Sequence, residues 1–423
     1  MKTLLKTLLI SIILVSCSSD DDPFGNPQEK VDTTLISISI PNGHYLDGSI
    51  NDVKSSGHIY LTDNEGELII DSELLNNSIT ELTGDYDVNK EIQATFLWKR
   101  EYPDFEDNIA TIYHLKTFSK VEPYTFEFEE KFKKNPANNE KAKIFINNTN
   151  GYLQDFLAYN SYGTKSSINS AELEIDLKQI PDDIYVSFKH ENENARRYIL
   201  MQNIEEDISK SIEYESLPVA KDFITINYPG SDKLHVTIFG AIESNPNNFF
   251  ARLSEIWSYT GLNSFSHNLP LEPFQNFKVS TSLEIGNEKF STIERGSSIN
   301  QNYSKPNLSF QVLDNSFDNY EISSSSMFDY YSVNLYYSNE AKNYDIIWTI
   351  YGKSQANIKL TIPQILDFHE LNNTTLTIDD FTILSATIIK IDGIDSYKEF
   401  INSQIDDNSY IDNKITKYES MRK

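Results

Sequence analysis

The chain has 423 residues, with 36 Lys and Arg against 63 Asp and Glu, so its formal net charge is −27. Such a field repels the phosphates of nucleic acid, which excludes nucleic acid as the expected partner. Apolar residues make up 39% of the chain and aromatic residues 12%, which is enough for buried cores and excludes global disorder. This length predicts two or three domains.

The first residues have the pattern of a secretory signal. Lys2 and Lys6 precede an apolar run at residues 8–15, and the run ends at Ser16. A basic start, a short apolar core and small residues before a cleavage point are typical of a signal peptide. The run is shorter than the roughly 20 residues that a membrane-spanning helix needs.

The next feature is the only cysteine of the chain, Cys17, in the tetrapeptide Leu-Val-Ser-Cys at residues 14–17. This segment resembles the lipobox of bacterial lipoproteins. The resemblance implies a signal peptide at residues 1–16, lipid transfer to the Cys17 thiol, cleavage before Cys17 and acylation of the new amino group. Several acyl chains would then hold the protein at a membrane. The alternative is an ordinary signal peptide whose cysteine has no function.

A serine-rich and acidic run follows the cysteine. It consists of Ser18, Ser19, Asp20, Asp21 and Asp22. The run resembles the export tag of surface-displayed lipoproteins in some Gram-negative groups, which implies a lipid-anchored protein of the outer membrane that faces the cell exterior. A solvated acidic tether without an address is the alternative, and the side of the membrane that the protein faces stays open.

The composition of the remaining chain predicts an all-β fold. With 25 Tyr and 24 Phe, and many Ile, Thr and Ser, the chain favours strands over helices. Strand-like runs separated by turn residues predict two or three antiparallel β-sandwich domains in series, followed by a short C-terminal helix. The predicted segments are an acidic linker at 17–31, sandwiches at 32–122, 123–220 and 221–392, and a helical tail at 393–423.

Two places have the pattern of a β-hairpin. Residues 57–62 and 67–70 are strand-like and flank a turn at 63–66 that contains Gly66, which predicts a hairpin. A calcium loop is the alternative, but its spacing requires a ligand where the chain has Leu61. Residues 223–228 and 234–239 flank Pro229-Gly230 and also predict a hairpin.

The end of the chain combines a strand with a helix. Residues 383–391 are strongly β-branched and predict a central strand. Ser396 followed by Glu399 has the spacing of a capping box, and the apolar residues 397, 400, 401 and 405 fall at helical spacing. Residues 410–421 are expected to add a second helix or to fray.

No motif in the sequence predicts catalysis or a cofactor. The seven histidines include no pair at i, i+2 or i, i+4, so the local pairs of many zinc sites are missing. Neither Gly-x-Ser-x-Gly nor a glycine-rich phosphate loop occurs. Adjacent acidic residues, such as Asp182-Asp183 and Asp379-Asp380, are typical of solvated turns. We therefore expect no catalytic residue, no metal site and no cofactor.

Aromatic side chains are the better candidates for a binding site, because sugar rings stack on exposed indole and phenol faces. Trp98, Trp257 and Trp348 each lie in a strand-like context. The alternative for each of them is packing in a core.

These observations favour a non-enzymatic, lipid-anchored surface protein that binds a glycan or a protein partner. Two alternatives stay open. The first is a structural or assembly partner of an outer-membrane complex. The second is an exported hydrolase whose carboxylates cannot be recognised from the sequence.

Overall fold

The computed structural model describes most of the chain from residue 33 onward. The described residues are 33–50, 53–84, 91–103, 109–122, 124–128, 140–149, 153–160, 163–167, 171–177, 181–190, 193, 195–205, 207–242, 251–259, 263–317, 320–365, 376–405 and 415–423. The predicted signal, Cys17 and the acidic run lie outside these residues.

The fold is all-β, as the sequence predicts. The first group of strands comprises β1 (Thr33–Ile40), β2 (Asp47–Ile50), β3 (Val53–Thr62), β4 (Leu68–Leu74), β5 (Ser78–Gly84), β6 (Ile92–Pro103), β7 (Ile109–Val121) and β8 (Tyr124–Glu127). A three-stranded sheet with the order β5-β1-β8 covers one face of β3, β6 and β7. Its core includes Ile36, Phe118 and Phe126, which are almost fully buried.

The hairpin predicted at residues 57–70 is confirmed. Strands β3 and β4 pair in antiparallel fashion. In the turn, Asp63 Oδ1 accepts the backbone N–H groups of Glu65 and Glu67, each at 2.9 Å. Gly66 has φ +87, a conformation that glycine adopts without strain. Asp63 thus serves as a turn-forming acceptor, which agrees with a hairpin rather than a calcium loop.

A second group of strands forms a sandwich with its own core. It comprises β9 (Lys141–Asn147), β10 (Leu153–Asn160), β11 (Gly163–Ser167), β12 (Glu172–Asp176), β13 (Asp182–His190), β14 (Arg197–Ile204) and β15 (Ile208–Glu213). The two sheets have the orders β11-β10-β13-β14 and β12-β9-β15. Ile144, Phe156 and Phe188 are fully buried between them.

The third group provides most of the molecule. Its elements are β16 (Asp222–Asn227), β17 (Lys233–Ala241), β18 (Ala251–Ser258), β19 (Ser264–Leu269), β20 (Asn276–Ile285), β21 (Glu288–Gly296), β22 (Phe310–Asp314), β23 (Glu321–Ser324), β24 (Tyr330–Asn339), β25 (Tyr344–Lys353), β26 (Asn357–Lys359), β27 (Thr382–Asp392), α1 (Tyr397–Ile405) and β28 (Lys417–Arg422). Short 3-10 helices lie at Tyr214–Ser216, Glu340–Lys342 and Ile378–Asp380.

One 13-stranded sheet joins the first and third groups. Its order is β18-β17-β20-β21-β28-β27-β24-β25-β7-β6-β3-β2, and β4 also pairs with β3. The link is the parallel pairing of β25 with β7. Hydrogen bonding therefore crosses the boundary predicted near residue 122, and the proposed domain limits stay predictions.

The hairpin predicted at residues 223–239 is wrong. β16 pairs with β19, whereas β17 pairs with β18 and β20. Both strands carry buried apolar side chains, such as Ile226 and Val236, and these belong to the same core. The chain therefore passes from one sheet to the facing sheet after β16, so the two strands contribute to one core without pairing with each other.

The predicted helix is confirmed, but the predicted end of the tail is not. In α1, the Glu399 N–H donates to Ser396 Oγ (3.2 Å), and Glu399 Oε2 accepts the Asp395 N–H (3.0 Å). Residues 417–422 form the strand β28 instead of a helix or a frayed end. β28 pairs with β21 on one side and with β27 on the other. The prediction that residues 383–391 form a central strand is confirmed, because β27 lies between β24 and β28.

Among the described residues, no helix is long and apolar enough to cross a membrane.

Candidate functional site

The structure separates the three predicted tryptophans. Trp348 is fully buried, and its indole N–H donates to Thr117 Oγ1 at 2.8 Å. Trp98 is half-buried, and the Arg100 guanidinium lies 5.0 Å from the centre of its ring. The Trp257 side chain is 59% exposed. Trp348 is therefore a core residue, and Trp257 is the tryptophan that solvent reaches best.

Trp257 points away from the core because it lies on the outer side of β18 and β17. The buried residues Leu234, Val236 and Ile238 of β17 face the core, so the alternating residues of β17 face outward. His235 is one of these, and it lies directly opposite Trp257 in the strand pair. Their ring centroids are 3.7 Å apart, with planes 14° from parallel.

A carboxylate holds this pair of rings in place. Glu255 Oε1 accepts the indole N–H of Trp257 and lies equally close, at 3.3 Å, to His235 Nε2. The other oxygen of Glu255 accepts a hydrogen bond from Arg252. The indole is thus fixed by a stacked ring and a hydrogen bond before any ligand arrives, which reduces the entropy cost of binding.

The second sandwich anchors this cluster from the side. Arg252 Nε donates to the hydroxyl oxygen of Tyr159 at 3.0 Å. Burial raises the pKa of Tyr159, and the Arg252 charge opposes that shift only in part. The phenol therefore stays neutral at physiological pH and accepts the guanidinium hydrogen bond.

A second exposed aromatic ring lies next to Trp257. Tyr259 directly follows β18, is 70% exposed and is two residues from Trp257. Two residues along a strand correspond to about 7 Å on the same face. The register pairs Leu234 with Ser258, so the next residues along the two strands are Lys233 and Tyr259. Together, Trp257 and Tyr259 form a short row of exposed rings.

Small hydroxyl side chains extend this surface across the sheet. The register places Ser282 of β20 opposite His235 and then Ser291 of β21, both half-buried, whereas the next residue in this direction, Ser420 of β28, is buried. We call the outward side chains of β18, β17, β20, β21 and β28, together with Tyr259, the Trp257 face. It is the outward surface of one sheet, and it combines aromatic rings with hydroxyl groups.

The described acids with clearly shifted pKa values are all shifted downward. They are Glu174, Glu193, Glu284, Glu288 and Asp314. For Glu174 and Glu284, the main cause is a hydrogen bond from a lysine. A general acid in glycoside hydrolysis requires the opposite shift.

A cavity of about 610 Å³ lies away from the Trp257 face, next to the turn between β3 and β4. Its lining includes Phe317, Leu360 and Leu376, with the exposed side chains of Glu65 and Lys359. Within the described residues, no three His, Cys, Asp or Glu side chains lie close enough together to hold a metal ion. Compared with this cavity, the Trp257 face has side chains that are held in place by more specific contacts.

Comparisons with known proteins leave the family open. No protein-family model and no curated protein matches the chain. Among solved structures, a weak likeness to a Salmonella alpha-2-macroglobulin variant has 9% identity and a TM-score of 0.11. It covers 79% of this chain and 26% of that chain, so this chain spans about a quarter of that protein's length.

Sequence reasoning finds Trp257 but misses its partners. It places Trp257 in a strand-like context without giving bounds for the strand, and it does not single out His235, Glu255 or Tyr259. The available signal is the outward alternation of Glu255, Trp257 and Tyr259. A register shift between β17 and β18, opposite Ile238 and Phe239, breaks the apolar alternation of β18 and hides this signal.

Proposed function

We propose that this protein is a lipid-anchored lipoprotein of the outer cell surface that binds a glycan through the Trp257 face without catalysing a reaction. The anchor is inferred from the lipobox-like segment that ends at Cys17, and the outward orientation from the acidic run after it. The binding function is inferred from the described structure.

The observation that carries the binding proposal is the exposed and pre-positioned ring of Trp257. An exposed tryptophan on a sheet usually loses little by turning to other rotamers. Here the stack on His235 and the hydrogen bond to Glu255 hold the indole. Rings of this kind present an apolar face to a sugar and a polar edge to its hydroxyl groups.

The experiment uses residues 18–423, which retain the whole described fold without the signal and the lipid. This chain is screened on a glycan array, and binding is compared between the wild type and two alanine variants. Trp257→Ala should abolish the signal. Phe223→Ala should keep it, because Phe223 is similarly exposed, at 68%, but lies on β16 in the facing sheet. Equal binding by the wild type and Trp257→Ala would contradict the proposal.

A further inference from the structure

The Trp257 face is positively charged although the chain as a whole is strongly negative. Alternation along the paired strands gives the charged residues that point outward. The cations are Lys233, Arg252, Lys278, Lys289 and Arg422, and the carboxylates are Glu255 and Glu284. Five cations against two carboxylates contrast with the net charge of −27 for the chain. A local field of this sign attracts anionic ligands.

Three of the cations surround one carboxylate near the exposed rings. Lys233 Nζ lies 2.6 Å from Glu284 Oε2. The pKa of Glu284 is lowered mainly by this hydrogen bond, and also by the charges of Lys289 and Arg422. A single carboxylate thus balances one of three neighbouring cations, so this part of the Trp257 face keeps a net positive charge.

Cations also lie at the other end of the face. Lys278 Nζ lies 5.2 Å from the ring centre of Phe239. Arg252 is balanced by Glu255. The cations therefore lie on both sides of the row that contains Trp257, His235 and the serine hydroxyls.

The dimensions of this pattern match a chain of sugars rather than one sugar. Trp257 lies on β18 and Lys289 on β21, three strand spacings apart, which is about 14 Å. Between these two residues, His235 of β17 and Ser282 of β20 lie in register with Trp257 across the sheet. A ligand that reaches both Trp257 and Lys289 must therefore be extended and must offer hydroxyl-bonding groups along its length.

We propose that the Trp257 face binds an acidic glycan, with a sugar ring on Trp257 and Tyr259 and carboxylate or sulfate groups next to Lys289 and Arg422. This inference rests on the proposed glycan-binding function and adds the charge of the ligand. A single-stranded nucleic acid also combines rings with anions. Both ligands carry about one charge per unit, so the titration with oligothymidylate described below separates them.

The test compares one polymer in charged and uncharged form. Residues 18–423 are titrated with polygalacturonate and with the same polymer after reduction of its carboxylates to neutral galactose units. We expect the acidic polymer to bind at least ten-fold more tightly at low salt. The difference should narrow at high salt, because exposed charges are screened over about 10 Å at 0.1 M ionic strength.

A charge variant separates this proposal from the proposed function. The double substitution Lys289→Gln and Arg422→Gln should weaken binding of polygalacturonate about five-fold, the range of exposed ion contacts, and should leave binding of the reduced polymer unchanged. A matched control, Lys210→Gln with Lys359→Gln, removes two exposed lysines from other sheets and should change neither affinity.

Each other outcome has a distinct meaning. Equal affinity for the two polymers, with loss of both in Trp257→Ala, would overturn the acidic-glycan inference and leave the proposed glycan-binding function intact. Absence of binding to either polymer and to the glycan array would overturn both. Equally tight binding of oligothymidylate or of anionic lipid vesicles, weakened by the Lys289 and Arg422 substitutions, would show a general polyanion surface and would also overturn the acidic-glycan inference.

Discussion

His235 and Trp257 stack across the β17–β18 pair with ring centroids 3.7 Å apart, so a half-buried ring supports an exposed one. The imidazole stacks against one face of the indole, and Glu255 contacts both rings. The exposed ring therefore has a defined orientation on a rigid sheet. Mutation of His235 can therefore separate the contribution of the stacked ring to binding from that of the contact with Glu255.

We expect His235→Ala to weaken glycan binding by about three- to ten-fold, because an aromatic pair contributes roughly 0.5–1.5 kcal/mol beyond its buried area. His235→Phe retains a flat ring against Trp257 and loses the contact with Glu255. This variant should bind within about two-fold of the wild type, since the stack is kept. Isothermal titration with the best array ligand measures both. Equal losses in the two variants would show that the imidazole, and not the stack, matters.

A second prediction concerns the stability of the second sandwich. The Arg197 side chain donates to both carboxylate oxygens of Glu193 and to the backbone carbonyls of Tyr214 and Leu217. The Arg197 guanidinium also lowers the pKa of the Glu193 carboxyl. Arg197→Ala leaves these acceptors without their donor, which should cost about 2–4 kcal/mol.

Hydrogen exchange of peptides from residues 141–213 measures the effect of Arg197→Ala in the whole chain. Lys141→Ala is the control, because the Lys141–Glu174 pair is exposed and such pairs add little stability. Exchange in Arg197→Ala should accelerate in the second sandwich and stay unchanged in β24 and β25. If the second sandwich of Arg197→Ala exchanged its amide hydrogens at the wild-type rate, the role assigned to Arg197 would be contradicted.

A third prediction compares two glycines with positive φ. Gly66 has φ +87, and a Cβ there would lie 2.7 Å from the carbonyl oxygen of Ile362. Gly286 has φ +59, and a Cβ there would meet no atom within 4 Å. Gly286→Ala should destabilise the protein by about 1 kcal/mol through its backbone conformation alone.

Gly66→Ala adds a backbone clash to the same conformational cost, so its loss of stability should exceed that of Gly286→Ala. Urea denaturation of the two variants, followed by tryptophan fluorescence, gives the comparison. Similar midpoints for both variants would show that the contact between the β3–β4 turn and residue 362 relaxes without cost.

A fourth prediction concerns the anchor. Because a thiol at residue 17 is required for lipid attachment, Cys17→Ser should move the protein from the membrane fraction to the soluble fraction of the producing bacterium. Fractionation and metabolic labelling with a fatty acid measure this change. Replacement of Asp20, Asp21 and Asp22 by Ala should leave the labelling intact and reduce digestion by protease added to whole cells. Unchanged fractionation of Cys17→Ser would contradict the lipoprotein assignment.

Strands with regular alternation could be predicted from the sequence, and strand neighbours could not. The run that becomes β20 alternates between buried and half-buried residues, and the run that becomes β27 is strongly β-branched, so the sequence indicates a strand at both places. The period of two defines the faces of a strand but not which strand lies beside it. For that reason β16 and β17 resemble a hairpin in the sequence and lie in facing sheets in the structure.

Two further differences have physical causes in particular residues. β28 contains Lys417, Glu419 and Arg422, whose composition suits a helix or a frayed end. It becomes a strand because β21 and β27 satisfy its backbone on both sides, so tertiary pairing outweighs local propensity. Among the candidate binding residues, Trp257 and Trp348 have similar sequence contexts. The side chains of the facing sheet cover Trp348, and the sequence around Trp348 does not specify which elements pack against it.

The most direct test of the central claim is to observe Trp257 itself during binding. The chain contains three tryptophans, so a ¹⁵N-labelled sample gives three indole N–H resonances, and Trp257→Phe identifies one of them. On titration with polygalacturonate or with the best array ligand, we expect the Trp257 indole resonance to shift with saturation, while those of Trp98 and Trp348 stay in place. A ligand that saturates the protein without moving the Trp257 resonance would contradict the account.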